Sequence, residues 1–176
     1  GLMSNGSITL NTGETLNVAG TTTALSIQSG STVNVMAGGV AILAGSVANS
    51  RTIADSGTLT VNAGSLTNDG TVNLTGAGQM TFVSGGVDNN SMLSLAGTSA
   101  LSTSGDFDNT GGTASGTNTS TLTVQGTLTT GGFTNIYGNV VLTGASAAVM
   151  EVFASNGTIR VAGGATISLT SNISGV

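Results

Sequence analysis

The chain has no proline, cysteine, histidine, tryptophan or lysine, and its only basic residues are Arg51 and Arg160. Without cysteine there is no disulfide scaffold and no thiolate metal site, a composition that agrees with a secreted bacterial protein. Two isolated arginines against seven acids, for a net charge of -5, exclude a nucleic-acid binder, which needs several cations to neutralise phosphates. No apolar run reaches the roughly 20 residues of a membrane-spanning helix. No basic segment leads into an apolar one as in a signal peptide; the sequence starts at Gly1, not Met, and stops in mid-pattern. A processed protein, or an excised piece of a longer repeating one, is therefore expected. Apolar residues spaced for a helix are also missing, and glycine interrupts every window long enough to form one. The few aromatics, Phe82, Phe107, Phe133, Phe153 and Tyr137, cannot supply the girdles of a membrane β-barrel.

What remains is glycine, 29 residues of 176, with threonine, serine and asparagine, and an alternation of apolar and polar residues. A low-complexity linker would share this composition, but a disordered chain has no reason to keep an in/out alternation. The alternation recurs in short pieces such as Ile8-Thr-Leu10, Leu59-Thr-Val61, Val72-Asn-Leu74, Leu93-Ser-Leu95 and Ile167-Ser-Leu169. Each reads as a strand with one face buried. Glycine-containing turns such as Asn62-Ala-Gly64 and Ser84-Gly-Gly86 separate them.

Between Leu59 and Leu95 the pieces match pairwise, 59 with 80, 61 with 82, 66 with 87, 68 with 89, 72 with 93 and 74 with 95. A fixed period near 21 residues, built of short alternating segments, is the signature of a solenoid. An antiparallel sandwich would favour two-residue Asn-Gly hairpins between longer strands, which are rare here. The sequence thus predicts an all-β, right-handed parallel β-helix with Leu59, Val61, Leu66, Val72, Leu74, Met80, Phe82, Val87, Leu93 and Leu95 inward. Residues 1–176 are read as one domain of about eight rungs, a rod roughly 40 Å long at about 4.8 Å per rung.

The most legible part of the unit is an apolar residue, any residue, then asparagine. It places Asn49, Asn68, Asn89, Asn109, Asn135 and Asn156 in one inward ladder, with Asn5 opening an earlier copy and Gln28 or Ser29 filling the slot between. Stacked amides satisfy one another and the backbone of their bends, avoiding the cost of burying them unpaired. The interval from Asn109 to Asn135 is long, and 110–120 has no apolar residue larger than alanine, so this stretch is expected to protrude as a loop.

Three features bear on chemistry. Asp69, Asp88, Asp106 and Asp108 fall on three consecutive units. Asp88 and Asp108 occupy the same slot, so their carboxylates face outward on adjacent rungs and repel. They are read as two solvated carboxylates splayed apart, or as a Ca²⁺ site using hard oxygen ligands; no other cofactor is expected. Paired acids also serve glycoside hydrolysis, and parallel coils host polysaccharide-active enzymes, but there is no histidine, no lysine and no aromatic platform, so a non-enzyme is expected. Thr58/Thr60, Thr121/Thr123 and Thr21-Thr-Thr23 form outward pairs. A regular threonine array would bind ice; here the slots drift, and β-propensity explains the threonines.

The run Leu66-Thr-Asn68-Asp-Gly70-Thr-Val72-Asn-Leu74 and the end Gly164-Ala-Thr-Ile167-Ser-Leu169-Thr-Ser-Asn172-Ile-Ser-Gly175 resemble the β-helical passenger and repeat regions of bacterial autotransporters and haemagglutinin-like surface adhesins. That resemblance implies export across the envelope and a role in surface display or adhesion. The function expected is a structural rod or stalk of a surface adhesin or extracellular (biofilm) matrix protein. The alternative is a subunit that self-assembles end to end into an extracellular fibre, its partners being copies of itself or the continuing chain.

Overall fold

A computed structural model describes residues 2–4, 6–19, 23–28, 30–117 and 119–130, together with the strands Phe133–Ile136, Asn139–Leu142, Ala147–Met150, Phe153–Ala154, Ile159–Val161 and Thr166–Leu169. The described residues contain strands and turns and no helix. The strands form three parallel sheets of nine, eight and eight members, and each pass of the chain contributes one strand to each sheet in turn. This is a parallel β-solenoid. The first sheet starts with Leu2–Ser4 and Thr23–Ile27, the second with Ser7–Leu10 and Thr32–Val35, the third with Thr15–Val18 and Val40–Leu43. Strands of two to five residues could not stand alone; here each interior strand pairs on both edges.

Register follows the alternation. Leu59, Met80, Leu101 and Leu122 share one column of the third sheet, and Val61, Phe82, Thr103 and Val124 the next. In the second sheet Val33, Ile53, Val72 and Leu93 are aligned. All ten residues expected inward are buried in one core cluster, together with Leu25, Ile27, Leu43, Phe107 and Leu128. Slipping any strand by one residue would turn its apolar set to water, so this core fixes the register.

The spacing between register partners varies from 18 residues (Val40 to Thr58) to 25 (Ser7 to Thr32), and the corners absorb the difference. Four residues usually join the second sheet to the third: 11–14, 36–39, 75–78, 96–99 and 117–120. Gly13, Gly38, Gly76 and Gly97 in these corners adopt positive φ, between 60° and 81°, a conformation open to glycine at little cost. Among the second-to-third-sheet corners whose residues are described, the shortest is Ser56-Gly57, two residues that join Thr52–Asp55 to Thr58–Val61.

The stretch 110–120 corrects an expectation. It does not leave the coil: Thr113–Gly116 is a second-sheet strand, paired with Met92–Leu95 on one side and Phe133–Ile136 on the other. Its inward slots hold Ala114 and Gly116, both buried. In the same rung the buried Phe107 takes the column position of Val87 and Leu128. One rung thus carries a large residue on one sheet and small ones on the next, and a search for large inward residues reads its small side as loop.

Where rungs stack corner on corner, a single methyl decides the fit. A Cβ at Gly85 would run into the backbone carbonyl of Gly64, whereas one at Gly6 would meet nothing. Gly85→Ala is expected to destabilise the fold by about 1–3 kcal/mol, as overpacking against rigid backbone does, with Gly6→Ala neutral to within about 0.5 kcal/mol. Urea unfolding of the two variants beside the parent measures both.

Candidate functional site

The inward asparagines form a continuous hydrogen-bonded row. The Nδ2 of Asn49 donates to Oδ1 of Asn68 at 2.7 Å, that of Asn68 to Asn89 at 2.6 Å, and that of Asn89 to Asn109 at 2.6 Å. The second amide hydrogen goes to a backbone carbonyl one rung on: Asn49 to Thr71 at 3.1 Å, Asn68 to Met92 at 3.0 Å, Asn89 to Thr113 at 3.2 Å. Each oxygen also holds its own bend, accepting from the N–H of Arg51 at 3.1 Å in Asn49 and from that of Gly70 at 3.3 Å in Asn68. Both donors and the acceptor of Asn68 are thus used, which allows it to sit in the core fully buried without a desolvation penalty left open.

The row is shorter than the sequence suggested. Its column runs Ser4, Ile27, Asn49, Asn68, Asn89 and continues through Asn109. Strand Leu128–Thr130 then stacks on Phe107–Asp108, with Leu128 opposite Phe107 and Thr129 opposite Asp108, which brings Thr130, not Asn135, to the next slot. Asn135 lies in the second sheet, its backbone paired with Ser115 and Ala154. Phe133-Thr-Asn135 carries the same apolar-x-Asn pattern as the row, but its place in the chain makes it a strand of the second sheet. In the same way the slot between the first copy and Asn49 belongs to Ile27 rather than Gln28 or Ser29. Asn5 and Asn156 lie outside the described residues.

Asp88 and Asp108 are register neighbours, as the shared slot required. With Asp106, Ser65, Gly86 and Val87 they line an open groove of about 280 Å³ along the first sheet. Asp106 Oδ1 accepts from the Thr127 N–H at 2.7 Å and Asp108 Oδ1 from the Thr110 N–H at 2.9 Å, so two of these carboxylates already hold turns. Asp69 is not with them; it sits at another corner, accepting from Asn90 Nδ2 at 3.1 Å. No group of three metal-ligating side chains lies together among the described residues. The threonine pairs Thr58/Thr60 and Thr121/Thr123 point outward on the third sheet, and Thr60, Thr81, Ser102 and Thr123 form one column of hydroxyls. Its companion column, Thr58, Gln79, Ala100 and Thr121, is mixed. Thr21 and Thr22 lie outside the described residues.

The acid that the sequence reading passed over is Asp55. It occupies an inward slot between Val35 and Leu74 and is 1% exposed. The signal was present in Thr52-Ile53-Ala-Asp55: alternation from Ile53 turns the aspartate inward. No known protein family, curated protein or solved structure matches the chain, and no helix among the described residues is long and apolar enough to cross a membrane.

Replacing Asn89 tests the ladder directly. Asn89→Leu strands the amide of Asn68, the oxygen of Asn109 and the carbonyls of Ser91 and Thr113, and is expected to cost about 1–3 kcal/mol. Chemical denaturation should place it well below the parent, and equal stability would mean that the slot does not face the core.

Proposed function

We propose that the chain is a non-enzymatic structural rod, part of a bacterial surface adhesin or extracellular matrix protein. The observation that carries this reading is the unbroken parallel stacking: the three sheets run in one order from Leu2–Ser4 to Thr166–Leu169, without a reversed strand. A unit that adds length at about 4.8 Å per rung and repeats its core column by column is suited to spacing. Its outer faces support the reading. On the second and third sheets up to Val124 the outward residues are mostly Thr, Ser and Asn, and none is charged. Over that length charge is held at corners, in the acidic groove and at Asp55. The resemblance of the repeat to autotransporter and haemagglutinin-like passengers supports export and surface display.

Localisation tests the proposal. In cells that make the protein, antibody against the rod is expected to label intact, unpermeabilised cells or the matrix around them. Labelling that appears only after permeabilisation overturns it.

A second reading is end-to-end assembly into a fibre. It is favoured by the free edges of the stack, Ser7–Leu10 in the second sheet and Thr166–Leu169 in the first, each pairing with described strands on one side only. Such edges template further strands unless charge or proline blocks them, and the sequences Ser-Ile-Thr-Leu and Thr-Ile-Ser-Leu have neither. Low net charge leaves little repulsion against axial contact. If fibres form, lysine at both Ile8 and Ile167 is expected to abolish them in negative-stain images while the β circular-dichroism signal persists. Fibres of unchanged length in that double variant would exclude axial pairing through these strands.

A further inference from the structure

Asp55 is the one ionisable side chain in the core cluster's columns among the described residues, and its surroundings contain nothing to pair with a charge. Oδ1 accepts from the Gly57 N–H at 2.9 Å, and Oδ2 has no partner. Above and below it in register stand Val35 and Leu74. The other inward residues of its rung and the next are apolar or amide, among them Val47, Asn49, Leu59 and Val61, then Leu66 and Met80. No titratable or cationic side chain faces it from the strands packed against it, Thr32–Val35 and Thr71–Leu74, or from the Ser56-Gly57 corner. Arg51 stands before the opposite end of its own strand.

The carboxyl sits where the stack is least padded. The corner that follows has two residues where its neighbours have four, and it leans on the rung below: the N–H groups of Ser56 and Gly57 reach the Val35 carbonyl at 2.7 and 3.1 Å, and Ser56 Oγ at 3.2 Å. The bond from Asp55 Oδ1 to Gly57 closes this short corner from inside. The next rung is tied to the same residue, through the Thr75 N–H to the Asp55 carbonyl at 2.9 Å.

We propose that Asp55 is a proton-operated latch on this rung: as a neutral acid it stays in the core and closes the Ser56-Gly57 corner, and on losing its proton to solvent it pulls the strand end and corner out of the stack. An apolar site with no counter-charge disfavours the anion far more than the acid. Burial raises the Asp55 pKa from 3.8 to about 7, the Gly57 N–H opposing only in part. The sign follows from proton linkage. Below pH 3.8 folded and unfolded chains both carry the proton and the latch is closed with no ionisation penalty. Between 3.8 and about 7 the unfolded chain releases a proton that the folded chain keeps, so stability falls as pH rises. Above about 7 the penalty is complete and local opening is the way to relieve it. The contribution of Asp55 is therefore most favourable in acid, whether or not the rod belongs to a surface adhesin.

The test is the pH dependence of the parent against Asp55→Val, which repeats the residue of the Val35 slot, and Asp55→Asn, which keeps an oxygen for Gly57. The remaining carboxylates are common to all three chains, so the difference between melting profiles isolates position 55. From pH 4 to pH 8 the parent is expected to lose roughly 5–15 °C of Tm relative to either variant, and its Ser56, Gly57 and Thr75 amides to exchange faster than those of Asp55→Val above pH 7. Superimposable pH profiles of parent and variants overturn the latch. If a variant does not fold, carbon-13 NMR of the parent decides: an Asp55 carboxyl titrating near 7 supports the proposal, and one titrating in the ordinary carboxylate range refutes it.

Discussion

In a parallel stack the neighbour of every residue is the residue one rung away, and the interior is organised as columns. The backbone hydrogen bonds of each strand run along the axis, so no strand can shift alone without breaking pairing on both edges. A side chain that enters the core must therefore be compatible with what stands above and below it. Aliphatic residues meet this condition in any order. A polar residue meets it when it brings both a donor and an acceptor, which is why asparagine can occupy four successive rungs: Asn49, Asn68, Asn89 and Asn109 each hand an amide hydrogen upward or receive one from below. Aspartate brings acceptors alone when ionised, and at position 55 it stands between two aliphatic neighbours.

The same logic explains how much of the fold was legible. Alternation and period located the strands of Leu59–Leu95 and all ten of their inward residues, because both signals are local and are repeated by neighbouring rungs. The column of asparagines was legible only where the corners keep their length. From Asn109 onward the identity of the slot depends on whether Thr113–Gly116 is a strand, and that strand owes its place to the register of Met92–Leu95 beneath it rather than to large apolar residues of its own. Once it is counted, Thr130 takes the slot, and Phe133-Thr-Asn135 falls in the second sheet. Asp55 was missed for the converse reason: an acid is read as exposed by habit, and only the alternation from Ile53 contradicts that.

Variation is confined to places where stacking tolerates it. Corners of two to four residues change the rung length without disturbing the sheets on either side. The groove acids Asp88, Asp106 and Asp108 gather on one side of the stack, two of them bonding turn N–H groups. Core volume is exchanged within a rung, Phe107 on one sheet against Ala114 and Gly116 on the next, so that a large and a small side chain compensate without altering the spacing.

The asparagine row also has a direction. The amides of Asn49, Asn68 and Asn89 each donate toward the rung that follows in sequence, so the small dipoles align head to tail and each polarises the next. A completed rung therefore shows the incoming one the same chemistry each time, an N–H pair awaiting an oxygen, while its own oxygen is already engaged behind it. A rung added on the C-terminal side of the row must bring an oxygen, and one added on the N-terminal side must bring a donor. The row is thus polar along the rod, and its two ends are chemically distinct.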